Sequence, residues 1–469
     1  MQKVQKATIF VAVITSFITT FMGSALNLSV PDMSNEFHVG AGAIGWVVTV
    51  YMLIAAAFSV PFGRIADLTS RKRILVCGIT IFGAASCFGI FAGSLPAVIF
   101  ARGAQGLGAS MIFATNHAIL VNEFDESSRG RVLGYATAST YMGLAMGPVI
   151  GGVLNYNIGW RSIFAVSFVI SLLVLIEAVR RLSARKSENA DQAKVQGISR
   201  WDLSGNIIFI AMILTGVYGL TELVSSKLGP YFAAAGFLLG IWFVLHERKA
   251  ESPIIDVQIF TGNPSYALSN LAALLNYGAT YAISYLLSIY LQIVSGFTSQ
   301  TAGLVLIASP AVMALFSPYA GKLSDRMSPF KLASAGMAIT AVSLLIFTFI
   351  GENTSILFIV ATLLLSGFGF ALFSSPNTNA IMSSVESESL GIAASILATM
   401  RSLGHTVSMA VVMIIASLYM GDSPLAEAEP QILVQTMHIS YIVFTVLSAL
   451  GIFCSLKRKN VRRVLTEAH

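Results

Sequence analysis

Charge is what this chain lacks. Of its 469 residues 11% are charged, where a soluble chain of ordinary composition carries roughly 25%. With 55% hydrophobic residues and a mean hydropathy of +0.78, that scarcity excludes a soluble globular fold and leaves a polytopic membrane protein. Cysteine is also scarce. Cys77, Cys87 and Cys454 all lie in apolar stretches, at spacings that offer neither a disulfide framework nor a metal site. A cleavable signal is missing too: Lys3 and Lys6 lead into an apolar run too long for a signal core, with no small-residue exit. No nucleophile constellation, metal-ligating cluster or nucleotide loop appears, and Gly106-x-Gly108 lies within an apolar helix rather than after a strand. Catalysis, ATP-driven work and a resident cofactor or metal are therefore not expected. Nor is there a sizeable soluble segment to serve a sensor or scaffold. The net charge of +6 reflects where bases sit relative to a membrane, so no nucleic-acid partner is implied.

What is present is a series of uncharged runs. A helix needs about 20 mostly apolar residues to cross a bilayer, so gaps between charges count the spans. Lys6 to Asp32, Glu36 to Arg64 and Arg73 to Arg102 give three. Arg102 lies inside a fourth, over 96–121. Arg131 to Arg161 and the segment after Arg161 give the fifth and sixth; Asp202 to Glu222 and Lys227 to Glu247 give two more. The 65 uncharged residues between Asp256 and Lys322 hold a pair turning near 295–300. Lys331 to Glu352, Glu352 to Glu386, a segment holding Arg401 and the run 432–456 bring the expected total to fourteen. An even count puts both termini on one side. Of the 28 Lys and Arg residues, all but Arg102, Arg401, Arg161 and Lys227 fall in one set of loops and tails, which places both termini in the cytosol of a multi-pass plasma (inner) membrane protein.

One short pattern occurs twice, 258 residues apart. Gly63-Arg64-Ile65-Ala66-Asp67 precedes the basic run Arg71-Lys72-Arg73, and Gly321-Lys322-Leu323-Ser324-Asp325 precedes Arg326 and Lys331. Gly106 and Gly108 ahead of Ala118 are echoed by Gly367 and Gly369 ahead of Ala380; Gly134 pairs with Gly391 and Gly147 with Gly404. Ordered matches at a nearly constant offset argue for a duplicated set of helices.

These motifs resemble the major facilitator superfamily, in its 14-helix branch of drug:proton antiporters of multidrug and tetracycline-efflux type. Gly63 to Arg73 is similar to the loop signature G-x-x-x-D-R-x-G-R-K, departing at Leu68 and Ser70. Arg102-Gly103-Ala104-Gln105-Gly106-Leu107-Gly108 resembles R-x-x-Q-G-x-G, and Gly143 to Gly152 resembles the antiporter signature of the fifth helix. Trp160-Arg161, Trp201-Asp202-Leu203-Ser204-Gly205 and Gly219-Leu220-Thr221-Glu222 also resemble this branch. The resemblance implies an all-α membrane protein of the major facilitator fold: a six-helix bundle over 1–181, a cytosolic linker over 182–201, an inserted helical hairpin over 202–246, a cytosolic link over 247–264, a second six-helix bundle over 265–456 and a cytosolic tail over 457–469. It implies proton-coupled export of a small-molecule substrate by a monomer within the lipid bilayer.

Physical chemistry assigns tasks to individual residues. Asp67 at a helix mouth can cap a helix and latch onto Arg71 or Arg131 beside Gly63. Gly143, Gly147 and Gly151 allow close helix contact and Pro148 bends the helix, which suits a gate. Arg102 is a charge about two turns deep in the membrane and must face a cavity or a partner. The resemblance gives it a part in proton coupling, for which Asp32, Glu222 and His117 are the other candidates. Asn27, Asn116, Asn270, Tyr277, Tyr281, Tyr285, Phe373, Asn377, Arg401 and His405 fall on polar or aromatic stripes or inside spans, and are expected to line a central cavity.

One absence limits this reading. Cation exporters of the branch carry an acid nine residues before the proline that is Pro31 here, and that position is Met22. A cavity with Arg102 and Arg401 but no mid-membrane carboxylate favours anionic, zwitterionic or neutral amphiphiles. Import or facilitated passage of an organic anion or other small solute is the alternative.

Overall fold

The computed structural model describes residues 2–124, 126–182, 202–250, 253–255, 257–385, 390–420 and 428–458. Among them the fold is all-helical, without strands, and twelve helices are long and apolar enough to cross a membrane. The side chains of Asp67, His117, Arg131 and Asp325, nearly all of the 182–201 linker and the tail from 459 onward lie outside the described residues.

Helix α1 (Gln2–Ser24) tightens into a 3₁₀ turn (Ala25–Ser29) and continues as α2 (Val30–Phe37). Pro31 opens α2, where its missing N–H costs nothing, and His38 closes it in the left-handed region at φ 53°. Then come α3 (Ala41–Leu68), α4 (Arg71–Ile90), α5 (Leu95–Glu123), α6 (Glu126–Ile158) and α7 (Arg161–Arg181). A hairpin of α8 (Leu203–Thr221) and α9 (Gly229–Glu247) follows, then the short α10 (Val257–Gly262). Helix α11 (Pro264–Thr280) runs through α12 (Ala282–Ile289) into a π turn over Tyr290–Val294. The chain ends with α13 (Ser299–Leu306), α14 (Ala308–Arg326), α15 (Pro329–Phe347), α16 (Ile356–Met382), α17 (Leu390–Met420) and α18 (Pro430–Leu456).

Caps set several starts. The side chains of Ser70, Asp202, Asn263, Thr298 and Ser355 each accept an amide of the helix they precede. Threonine and serine hydroxyls inside the spans bond back to carbonyls one turn earlier, as Thr15 does to Val11, so the apolar surroundings meet few unpaired donors.

The internal duplication is physical. A methyl group on Gly78 would overlap the Gly108 carbonyl, and one on Gly108 would overlap the Gly78 carbonyl. Gly336 and Gly369 stand in the same mutual relation, clamping α15 to α16 as α4 is clamped to α5. Gly106 abuts the Tyr51 carbonyl and Gly367 abuts that of Ser309, so α5 closes on α3 as α16 closes on α14. The pairing of α4 with α7 is likewise repeated by α15 with α18. Two seams join the early helices to the late ones: α3 along α17, and α6 along α13 and α14. The α8–α9 hairpin rests against α3 and α17 at the edge of the first seam.

Candidate transport pathway

At the predicted outer end of the second seam, the Gly152 backbone meets the Ser299 carbonyl and Gly303 meets that of Pro148, close enough that neither glycine has room for a Cβ. Ser299 Oγ donates to the Gly152 carbonyl at 3.2 Å, and Ser288 Oγ donates to that of Asn27 at 2.8 Å. Gly143, Gly147 and Gly151 face elsewhere. They pack α6 onto Phe17, Thr20, Ser24 and Ala25, within the early helices. One glycine-rich helix therefore presents two faces, a row that anchors it and a Pro148–Gly152 edge that touches the other helix set. On the first seam, Gly42 and Gly45 lie against Ser417 and Met413, while Gly63, near the other end, keeps ordinary contact distance from Ser395.

Between the seams lies a cavity of about 80 Å³, lined in part by Asn27, Tyr281, Ser284, Ser309, Phe370 and His405. Of the residues expected to line a cavity, Asn27, Tyr281 and His405 do so. His405 stacks on Tyr281 with ring centroids 4.2 Å apart and stands edge-on to Tyr277 at 5.4 Å. The Tyr281 hydroxyl donates to the Gly23 carbonyl at 2.8 Å, tying α12's N-terminal end to α1. Tyr277 and Tyr141 both reach Ser374 Oγ, at 3.4 and 2.6 Å, and Tyr277 also packs edge-on to Phe373. Arg401 lies with its guanidinium 5.8 Å from the Phe113 ring centroid, a cation–π contact across the seam, and no carboxylate is paired with it among the described residues. Tyr285 is buried. Asn116 is turned inward to Ala12 and Ser16 at 2.9 and 2.8 Å, and Asn270 to Tyr266 at 3.1 Å. Ser284 escaped the sequence reading, although it falls one turn before Ser288 on the same stripe.

The proton-coupling candidates whose side chains are described, Arg102, Asp32 and Glu222, are not gathered into one site. Arg102 is buried, donating from Nε to the Val47 carbonyl and from its terminal nitrogen to Gln105 Oε1, both at 2.9 Å, with its guanidinium 4.2 Å above the Tyr51 ring. Gln105 in turn donates to Ser86 at 2.8 Å. Among the described residues, neutral acceptors and a ring face thus carry the charge without a paired carboxylate, tying α5 to α3 and α4. Asp32 accepts from Asn155 and lines a cavity of about 610 Å³, on the side predicted to be outer, with Trp160, Gln292 and Phe297. Glu222 accepts from the Trp46 indole at 2.8 Å, pinning the hairpin to α3. Arg161, the outer-loop arginine, is paired with Glu36 at 2.5 Å.

At the face predicted to be cytosolic, bases at the start of α4 reach carbonyls toward the ends of neighbouring helices. Lys72 donates to the Leu182 carbonyl at 2.6 Å, just past α7, and Arg71 to that of Ala118 at 3.4 Å. Arg458, which sequence reasoning passed over as a tail residue, is buried. It donates to Asn377 Oδ1 at 2.6 Å and Ser269 Oγ at 3.1 Å, so Asn377 serves the C-terminal end rather than the cavity. Asp202 caps α8, and while its partial burial alone would raise its pKa, the Gly205 amide, the Ser204 hydroxyl and His246 hold it below the usual carboxylate range.

Comparison with known proteins agrees with this geometry. The Major Facilitator Superfamily model matches residues 12–409 and 269–467. The multidrug resistance protein Stp of Mycobacterium tuberculosis is 31% identical, covering 88% of this chain and 76% of that protein. The riboflavin transporter RibZ of Clostridioides difficile is 28% identical over 84% of both chains. A crystal structure of a bacterial homologue of the human lysosomal transporter Spinster, inward-facing and unoccupied, superposes with a TM-score of 0.71 over 98% of this chain and 99% of that one, at 15% identity. Multidrug efflux proteins among the relatives fit the drug:proton antiporter branch. By sequence over nearly its whole length, by its helical fold and by its relatives, this multi-pass membrane chain is a transporter of small molecules rather than an enzyme, and it belongs to the Major Facilitator Superfamily.

Proposed function

We propose that the protein is a proton-coupled exporter of amphiphilic drugs or metabolites that works by alternating access as a monomer. The observation that carries this reading is the double-faced α6. The helix bearing the antiporter signature anchors to the early helices through Gly143, Gly147 and Gly151 and closes the seam above the cavity through Pro148 and Gly152. A contact without side-chain bulk can separate and re-form as two helix sets rock.

The topology follows from two further helical stretches. Helix α6, at 33 residues, and the continuous helical stretch over 264–294 both have the length to span. With the twelve apolar spans they give fourteen: bundles over 1–181 and 265–456, the inserted hairpin over 202–246, and both termini in the cytosol of the inner membrane. Asp32 and Glu222 are proton-carrying candidates near the outer face, with Arg102 and His117 on the helix between the seams. Gly63 and Asp67 at the end of α3, with Arg71 and Arg131, are the candidates for an inner latch. Arg401, at the seam and without a paired carboxylate among the described residues, favours anionic or neutral substrates over cations.

Transport of an organic anion and of a lipophilic cation, each in proteoliposomes with and without an imposed pH gradient, tests the reading. The expected result is gradient-driven movement of the anion or neutral amphiphile. Movement indifferent to the gradient overturns antiport and leaves import or facilitated passage of an organic anion or other small solute, a second reading that the acid-free cavity lining and the likeness to a riboflavin transporter favour.

A further inference from the structure

We propose that Asp202, His246 and Glu247 form a binding site for one divalent transition-metal ion of the Zn²⁺ class, at the base of the α8–α9 hairpin. The three residues are brought together by the two ends of the hairpin. Asp202 precedes α8, and His246 and Glu247 close α9. One ligand atom from each lies within 4.8 Å of the other two. His246 Nε2 is 2.9 Å from Asp202 Oδ2.

Two further observations point to a missing cation. Glu247 is 3% exposed, and its Oε1 has no hydrogen-bond partner, although Oε2 accepts the Ile255 amide at 3.1 Å. A buried carboxylate oxygen left unpaired beside a second carboxylate is costly unless a proton or a cation neutralises the pair. Gly205 supplies the space: a Cβ there would strike both Glu247 Oε1 and Asp202 Oδ2. His246 keeps 28% of its side chain exposed, which leaves a route for an ion.

The donor set suits the ion. Imidazole nitrogen and carboxylate oxygen bind Zn²⁺ at about 2.0–2.2 Å, which sets tetrahedral ligand atoms about 3.3 Å apart. The Asp202–His246 spacing is already near that value, and Glu247 has to close by no more than about 1.5 Å, a side-chain rotation. Solvent at the exposed His246 edge supplies the fourth ligand. A filled site braces the two stems of the hairpin and, through the amide of Ile255, the link that leads into the late helices.

The test uses the full-length protein, freed of any affinity tag, stripped with EDTA and titrated with ZnCl₂ by isothermal calorimetry. The expected result is one Zn²⁺ per chain, weakened about 100-fold or lost in His246→Ala and in Glu247→Gln, both checked for monodispersity. An absorption spectrum at the zinc K-edge reads the ligands of the unmutated protein directly, and one imidazole among oxygen donors is expected. No saturable binding in the micromolar range, binding unchanged by both substitutions, or a spectrum with several imidazoles or a thiolate overturns the proposal.

Discussion

Substituting Gly152 by Val isolates the seam from the rest of α6. The added side chain points at the Ser299 carbonyl, on the opposite helix set, and at Leu28. Overpacking a close contact costs about 1–3 kcal/mol. In the proposed cycle the Ser299 contact parts when the outer mouth opens, so that cost falls mainly on the closed state and shifts the equilibrium toward opening by about 5- to 150-fold. The reporter is Ser284→Cys, which lines the cavity below the contact, in a background where Cys77, Cys87 and Cys454 are replaced by Ser. A membrane-impermeant maleimide added from outside should label it faster in Gly152→Val by a factor in that range. Gly303→Val, facing the Pro148 carbonyl, should act in the same direction. Gly151→Ala meets Ala25 within the early helices, so it should lower thermal stability without accelerating labelling. The reasoning fails if both seam variants label no faster than the parent, or if Gly151→Ala labels as fast as they do.

Substitutions at three other positions separate structural from functional roles. Gln105→Ala removes a neutral acceptor from the buried Arg102 guanidinium and should lower stability by about 1.5–3 kcal/mol, read as a drop in the unfolding midpoint in detergent; an unchanged midpoint refutes the network. Glu222→Gln keeps an acceptor for the Trp46 indole, so stability should hold while pH-gradient-driven transport is lost if Glu222 carries the proton; Glu222→Ala should lose both. Arg458→Ala strips charge-assisted bonds from Asn377 and Ser269 and should cost about 1.5–3 kcal/mol of thermal stability, with Arg458→Lys recovering part of it; a midpoint equal to the parent's means that the buried arginine is dispensable.

The helical fold was legible because bilayer spans leave long uncharged runs, and because the duplicated glycines are steric necessities. Gly106 with Gly367 and Gly108 with Gly369, paired in the sequence, mark places where backbones touch; the glycines facing two of them, Gly78 and Gly336, emerge only from the structure. The cavity was less legible. A stripe at helical spacing says which side of a helix is polar, but not whether a neighbouring helix consumes the polar group. Asn116 and Asn377 show the difference: their amides are spent on Ala12, Ser16, Ser269 and Arg458, while Asn27, one 3₁₀ turn along, lines the space. Arg458 and the Asp202–His246–Glu247 cluster were hidden for another reason. Each depends on tertiary closure, the first of a tail onto a bundle and the second of two hairpin ends separated by more than forty residues, and local spacing carries no trace of either.

The two halves of the duplication share their glycine clamps but not their chemistry, and the difference lies where they meet. The early half buries Arg102 among neutral acceptors, far from any paired acid among the described residues, so that charge serves as architecture in the observed state. The late half places Arg401 at the seam, where among the described residues its guanidinium meets the face of Phe113 from the other half, a contact that would change as the halves move in the proposed cycle. An arginine whose partner lies across a moving interface can exchange that ring for a substrate anion at little cost; an arginine locked by two hydrogen bonds within one half cannot. This predicts that Arg401→Gln changes the substrate preference in the proteoliposome comparison, weakening anion transport relative to cation transport, whereas Gln105→Ala, by loosening Arg102, lowers stability and leaves that preference intact. Equal loss of both substrates in Arg401→Gln refutes the assignment of substrate recognition to the seam.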